Sequence, residues 1–176
     1  MDRARQLVGE TLLYCFAFLL LTGAYLAYFY TPSGQMVPYA GAYEPLRGTM
    51  MTAAYDSILT MSFDEPAGLL ARQSHTKVMM VFAVGAVVWA LLGRVRYALA
   101  VLGLIAVAGV AGHGAADEPM LVDLPIPVWY GLHLAAALAV LVTLVVSARR
   151  EAARQPRTLA FTALAVGLAL LAVYGL

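Results

Sequence analysis

Two histidines stand inside apolar stretches of this chain, where an ionisable side chain is costly and calls for a chemical reason. His75 lies nine residues after Pro66, and His133 lies six residues after Pro127. Neutral imidazole is a strong donor to a transition-metal ion. Two imidazoles on opposite sides of a flat macrocycle form the axial set of a haem iron. Arg72, three residues before His75, shares its helix face and sits nearer the end where a haem propionate would emerge. A structural reading competes, in which each histidine ties its helix to a neighbour by a hydrogen bond to a hydroxyl or carbonyl. Residue type and spacing leave both readings open.

The other reactive side chains point to less. Lys77, two residues from His75, faces another direction and reaches toward the membrane surface or an acid of the preceding loop. His113 beside Gly114 reads as a solvated turn residue, and Met79 and Met80 read as packing. Cys15 is the one cysteine, so neither an intrachain disulfide nor a cysteine metal cluster can form. The chain has no glycine-rich phosphate loop, no paired intramembrane carboxylates and no Ser/His/Asp set. It therefore carries no catalytic constellation of its own.

The elements that must hold these residues follow from composition. Of the 176 residues, 62% are hydrophobic and only 12% charged, with a mean hydropathy of +0.82. An ordinary soluble domain is about 25% charged. A soluble enzyme domain and a disordered tail are excluded. A net charge of +1 gives no pull toward nucleic acid. Five stretches approach the roughly 20 apolar residues a spanning helix needs. They are helix A over residues 12–30, B over 67–92, C over 97–112, D over 128–146 and E over 159–173. Helix A is too long for a signal-peptide core and is read as retained. The expectation is an all-α integral membrane protein with five transmembrane helices.

Charge sets the expected orientation. Eight of the eleven Lys and Arg residues (Arg3, Arg5, Arg94, Arg96, Arg149, Arg150, Arg154 and Arg157) flank one set of helix ends. The A–B loop has only Arg47, the C–D loop has none, and these two loops carry seven of the ten acids. Positive ends stay inside. The N-terminus is expected in the cytoplasm and the A–B loop, C–D loop and C-terminus outside. His75 and His133 then share a depth in the outer half of the bilayer. Tyr28, Tyr30, Trp129, Tyr130 and Tyr174 are expected to form an outer aromatic belt. The A–B loop, residues 31–66, is long, rich in proline, glycine and tyrosine, and carries a short surface helix near residues 52–59. It is expected to be a packed lid.

Four runs carry a family resemblance: Gly9-Glu10-Thr11-Leu12-Leu13-Tyr14, Leu21-Thr22-Gly23-Ala24-Tyr25-Leu26, Tyr43-Glu44-Pro45-Leu46-Arg47-Gly48 and Gly68-Leu69-Leu70-Ala71-Arg72-Gln73-Ser74-His75. With Ile126-Pro127-Val128-Trp129-Tyr130-Gly131-Leu132-His133, they resemble the N-terminal, haem-binding half of cytochrome b. The likeness is to the subunit of actinobacterial menaquinol–cytochrome c reductases and covers about residues 5–150. It implies a four-helix haem bundle in residues 1–150, with residues 151–176 as an additional helix.

The resemblance further implies two haems b between helices B and D, an outer and an inner. His75 and His133 match the outer pair of ligands. The inner positions fall on Trp89 and on Ser147 or Ala148, none of which is the family's ligand. One haem b, near the outer face, is therefore implied. Glycines line the family's haem planes, where a backbone can approach a flat group closely. Gly23 matches the outer one on helix A, Gly9 the inner one, and Gly109 or Gly112 on helix C is the opposite wall. The C–D loop is shorter than the family's, and no proton-motive cycle by this chain is implied.

The functional expectation is a single-haem electron-transfer subunit of a respiratory complex. It would pass electrons between an outer-face redox protein, dehydrogenase or hydrogenase subunit and a quinone, with menaquinone implied. His75 and His133 would be the metal ligands, Arg72 the propionate partner, and Gly23 and Gly109 the slot. Pairing of two copies is implied by resemblance alone. The alternative is a haemless cytochrome b-like scaffold that binds a partner complex.

Overall fold

The computed structural model describes residues 2–175. The chain is mostly helical, in the order α1 (Asp2–Phe29), β1 (Met36–Pro38), β2 (Met50–Thr52), α2 (Ala53–Phe63), α3 (Gly68–Trp89), α4 (Val95–Ala115), α5 (Ile126–Arg154) and α6 (Leu159–Tyr174). Three stretches are long and apolar enough to cross a membrane: Asp2–Phe29, Gly68–Ala115 and Ile126–Arg154. The second is 48 residues long. It doubles back through a turn at residues 90–94, where Gly93 adopts φ 94°. That left-handed backbone costs glycine nothing and other residues about 1–2 kcal/mol, so Gly93 separates α3 from α4.

Four helices surround one core. α1 packs on α3, α4 packs on α5, and the two pairs face each other. Lipid gives helices no hydrophobic reason to associate, so close packing of small residues must do so. Ala86, Ala98 and Val101 are fully buried, and Ala111, Val140 and Leu144 nearly so. Phe16 and Phe82 meet at 5.6 Å between ring centres. The outside is apolar instead. Leu21, Val84 and Leu91 are largely exposed, as a lipid-facing surface requires.

α1 and α5 run well beyond the spans expected from hydropathy, α1 by ten residues at its start and α5 by eight at its end. Salt bridges carry these extensions. Glu151 is buried and lies 3.2 Å from Arg5 Nε and 2.8 Å from Arg94. Glu10, also buried, lies 2.6 Å from Arg157. Gln6 donates to the Gln155 carbonyl at 2.8 Å. The arginine-rich end is thus tied into a buried ionic cluster, which hydropathy alone does not reveal.

At the opposite end the 31–66 loop is packed, as expected. β1 and β2 pair antiparallel with Val37 opposite Met51, and Tyr39 is buried between the hairpin and α2. Thr52 caps α2, its hydroxyl accepting from the Tyr55 amide at 3.2 Å. Such a cap satisfies one of the amides that a helix start leaves open. This helix is not superficial, since Ala54, Ile58 and Met61 are buried. Thr52 Oγ1 also donates to Asp117 at 2.8 Å, and the Tyr30 hydroxyl donates to the Ala115 carbonyl. Both links join this loop region to the end of α4.

The expected aromatic belt is only partly formed. Tyr30 and Tyr130 pack together at 5.0 Å near the loop end, and Tyr28 is exposed there. Trp129 is buried against Ala111 and Ala115. Tyr174 stands edge-on to Phe18 at 6.4 Å, eleven residues short of the end of α1. The reason is length. α6 has 16 residues and starts where Arg3 lies over Phe161. At the rise of an α-helix it extends only about 24 Å.

Candidate functional site

α3 and α5 stand diagonally across the four-helix core and present His75 and His133 to each other. Their ring centres are 6.3 Å apart with 49° between the ring planes. Both rings line a cleft of about 470 Å³ that reaches from Phe16 and Val140 in the core to Tyr30 and Glu118 at the loop end. Arg72 lines the same cleft one turn before His75, and no ion pair engages it among the described residues.

Each histidine is tied back by one ring nitrogen to the helix beside it. His75 Nδ1 lies 2.9 Å from Thr22 Oγ1 on α1. The Thr22 hydroxyl is already directed at the Phe18 and Leu19 carbonyls, each at 3.1 Å. A hydroxyl has one proton to give, so its oxygen accepts from His75 Nδ1–H. His133 Nδ1–H donates to the Ala108 carbonyl on α4 at 2.7 Å. In the neutral imidazole, this leaves Nε2 of each ring with its lone pair. That is the protonation state of a metal-binding histidine whose other nitrogen is anchored.

Two glycines make room for the rings. A Cβ on Gly23 would come within 3.2 Å of His75 Cε1, and one on Gly112 within 3.2 Å of His133 Nδ1. Between the two α4 glycines left open by sequence, Gly112 is the one that abuts the histidine. Gly109 also lines the cleft, but a Cβ there would meet only the Met79 sulfur at 3.7 Å.

These residues fit a haem. Two metal–nitrogen bonds of about 2 Å, plus roughly 1 Å from each nitrogen to its ring centre, give a centroid separation of about 6 Å. The cleft volume falls in the range of about 300–1,000 Å³ usual for cofactor sites. Among the described residues no three of His, Cys, Asp or Glu converge on one point. A haem asks for only two protein ligands, because the macrocycle supplies the rest.

At the arginine-rich end the geometry differs. Trp89 is 2% exposed, and a Cβ on Gly9 would lie 3.1 Å from its indole nitrogen. Ser147 is 1% exposed. The place that the resemblance assigns to an inner haem is filled by an indole pressed into the Gly9 notch.

Sequence reasoning gave no role to Thr22 or the Ala108 carbonyl, and it read His113 as a turn residue, whereas His113 stands in the last turn of α4 at the cleft mouth, 2.6 Å from Glu118. The single Ser or Thr within the apolar run 12–30, immediately before Gly23, was the available signal for Thr22. A main-chain acceptor leaves no signal in sequence. Lys77 is exposed and forms no ion pair with the loop acids among the described residues.

The cytochrome b subunit of the cytochrome bc1 complex of Streptomyces coelicolor is 46% identical over 84 residues. The chain is a partial relative of cytochrome b. Those 84 residues are 48% of this chain and 15% of the Streptomyces subunit. The corresponding subunit of Mycobacterium tuberculosis is 48% identical over 77 residues, 44% of this chain and 14% of that protein. That of Corynebacterium diphtheriae is 46% identical over 78 residues, with the same two shares. The chain thus spans about one-seventh of the length of the curated relatives it matches. No protein-family profile matches it.

Proposed function

We propose that this chain is a membrane-bound, single-haem electron-transfer subunit of a respiratory complex. The observation that carries the reading is the facing pair His75 and His133, 6.3 Å apart, each anchored through Nδ1 with Nε2 left as a donor. Cytochrome b relatives support haem b as the group. Bound there, haem b would supply a reversible one-electron couple.

The chain's own residues have defined tasks in this reading. His75 and His133 hold the iron from two opposite helices. Gly23, Gly109 and Gly112 keep the slot narrow and flat. Arg72 meets a propionate, since a guanidinium pairs strongly with a carboxylate. The apolar layer of Phe16, Phe82 and Val140 excludes water on the side away from the loops.

The wider proposal follows from charge and fold. The chain crosses the cell membrane five times, with residues 1–150 as the haem bundle and 151–176 as an added helix. The arginine-rich end and N-terminus face the cytoplasm, and the acidic loops and the C-terminus face outward. Electrons then pass between an outer-face redox protein, dehydrogenase or hydrogenase subunit and a quinone, menaquinone by analogy with the family. Two copies pair as a homodimer, again by that analogy.

The test is a pyridine haemochrome assay on the purified chain, with one haem b per chain expected. Two haems would mean that other residues replace the inner ligands. None would support the scaffold reading, in which the same bundle serves only to bind a partner. Replacing His133 with Ala should abolish the low-spin bis-histidine spectrum, because the iron loses one of its two strong ligands.

A further inference from the structure

The two histidines of the cleft are anchored by acceptors of different kinds. His133 donates to the Ala108 main-chain carbonyl, which no side-chain substitution can remove. His75 donates to a hydroxyl, Thr22 Oγ1, at 2.9 Å. That hydroxyl is held by its own helix, one turn back, through the Phe18 and Leu19 carbonyls. Such back-bonding is usual for threonine inside a helix. Its lone pairs therefore point at His75.

We propose that Thr22 is a positioning residue that sets the donor strength and orientation of His75, and through it the redox potential of the haem. The inference rests on the haem reading above. An acceptor on Nδ1–H draws the proton outward and makes Nε2 the stronger base. A stronger donor favours oxidised iron and lowers the potential. The same bond fixes the ring plane, which the Gly23 backbone supports on one side, where a Cβ would sit 3.2 Å from Cε1. Without the hydroxyl, Nδ1–H is left with the Leu19 carbonyl as its remaining acceptor on α1, and the ring loses its side-chain stop. The His133 side keeps its carbonyl, so the effect is confined to one axial ligand.

Two substitutions separate the hydroxyl from the packing. Thr22→Val keeps shape and volume but removes the acceptor. Thr22→Ser keeps the acceptor and removes a methyl group. Haem content of the wild-type chain is measured first, and a chain without haem overturns the reading on which this inference rests. In the haem-loaded protein, T22V should titrate at a higher midpoint potential and show a shifted low-spin electron paramagnetic resonance signal, with one haem per chain retained. T22S should match the wild type in both. Should T22V not fold, Thr22→Ala removes the same acceptor with less bulk and carries the same expectation. A wild-type potential and signal in the hydroxyl-free variants overturns the proposal. So does an equal shift in T22S, which would assign the effect to packing by the methyl group.

Discussion

Trp89 lies against Gly9 so closely that a Cβ on that glycine would come within 3.1 Å of the indole nitrogen and 3.2 Å of Cε2. The two residues sit 14 positions from His75 and Gly23 respectively, about 21 Å along their helices. One end of the bundle holds a notch and a histidine; the other holds a notch and a tryptophan. Replacing Trp89 with Ala should leave the His75–His133 haem spectrum unchanged while destabilising the bundle by about 3–5 kcal/mol, from lost packing and a cavity. Thermal unfolding beside an absorption spectrum checks both halves. Loss of haem from this variant with a normal spectrum in H133A would move the haem to the other end.

Arg72 is the cationic side chain in the cleft, one helical turn from His75. Replacing it with Ala should retain haem and lower its midpoint potential, because a nearby positive charge favours the reduced iron, which carries one less positive charge. A redox titration reads the direction, and a potential that rises contradicts the assignment.

The α4 glycines should respond unequally. Gly112→Val places branched carbons where one Cβ already comes within 3.2 Å of His133. It should displace the ring and cut haem content. Gly109→Ala adds a methyl at ordinary contact distance from Met79, clear of both rings, and should cost less haem than Gly112→Val. Equal loss in both variants would point to general disruption of α4.

Topology can be read by chemical labelling on intact cells. Leu121 lies fully exposed in the loop before α5, so a cysteine there suits an impermeant thiol reagent. It should react, whereas one at Ala153, near the arginine-rich end, should not. Gly114 makes a poor probe, because a Cβ there would come 2.5 Å from the Trp129 ring. Reversed labelling would invert the orientation and put the haem in the inner half of the membrane.

Much of the bundle was legible because hydropathy is a local property. The paired histidines were visible as ionisable residues in apolar runs at matching distances from Pro66 and Pro127. The buried carboxylates Glu10 and Glu151 were not, since each lies at the polar edge of a span and its arginine partner is far away in the chain. Glu10 and Arg157 are 147 residues apart. Their pairing lengthens α1 and α5 beyond the apolar core. Tyr174 departs from its expected depth for a related reason: that depth depends on where α6 begins against α1, which no local pattern records.

The amino-acid sequence by itself determined that the chain is helical and apolar, that its charges divide between two ends, and that His75 and His133 come to one depth. Each of these follows from residue type and rise per residue. Only the tertiary structure decided which glycine meets which ring. Gly109 and Gly112 are three residues apart and lie on one face of α4, so spacing alone does not separate them. The rotation of that helix against α5 selects Gly112. The same holds for the anchors of the histidines. Thr22 and the Ala108 carbonyl are assigned by how α1 packs on α3 and α4 on α5, and a main-chain oxygen looks the same in every residue until a neighbour is brought against it.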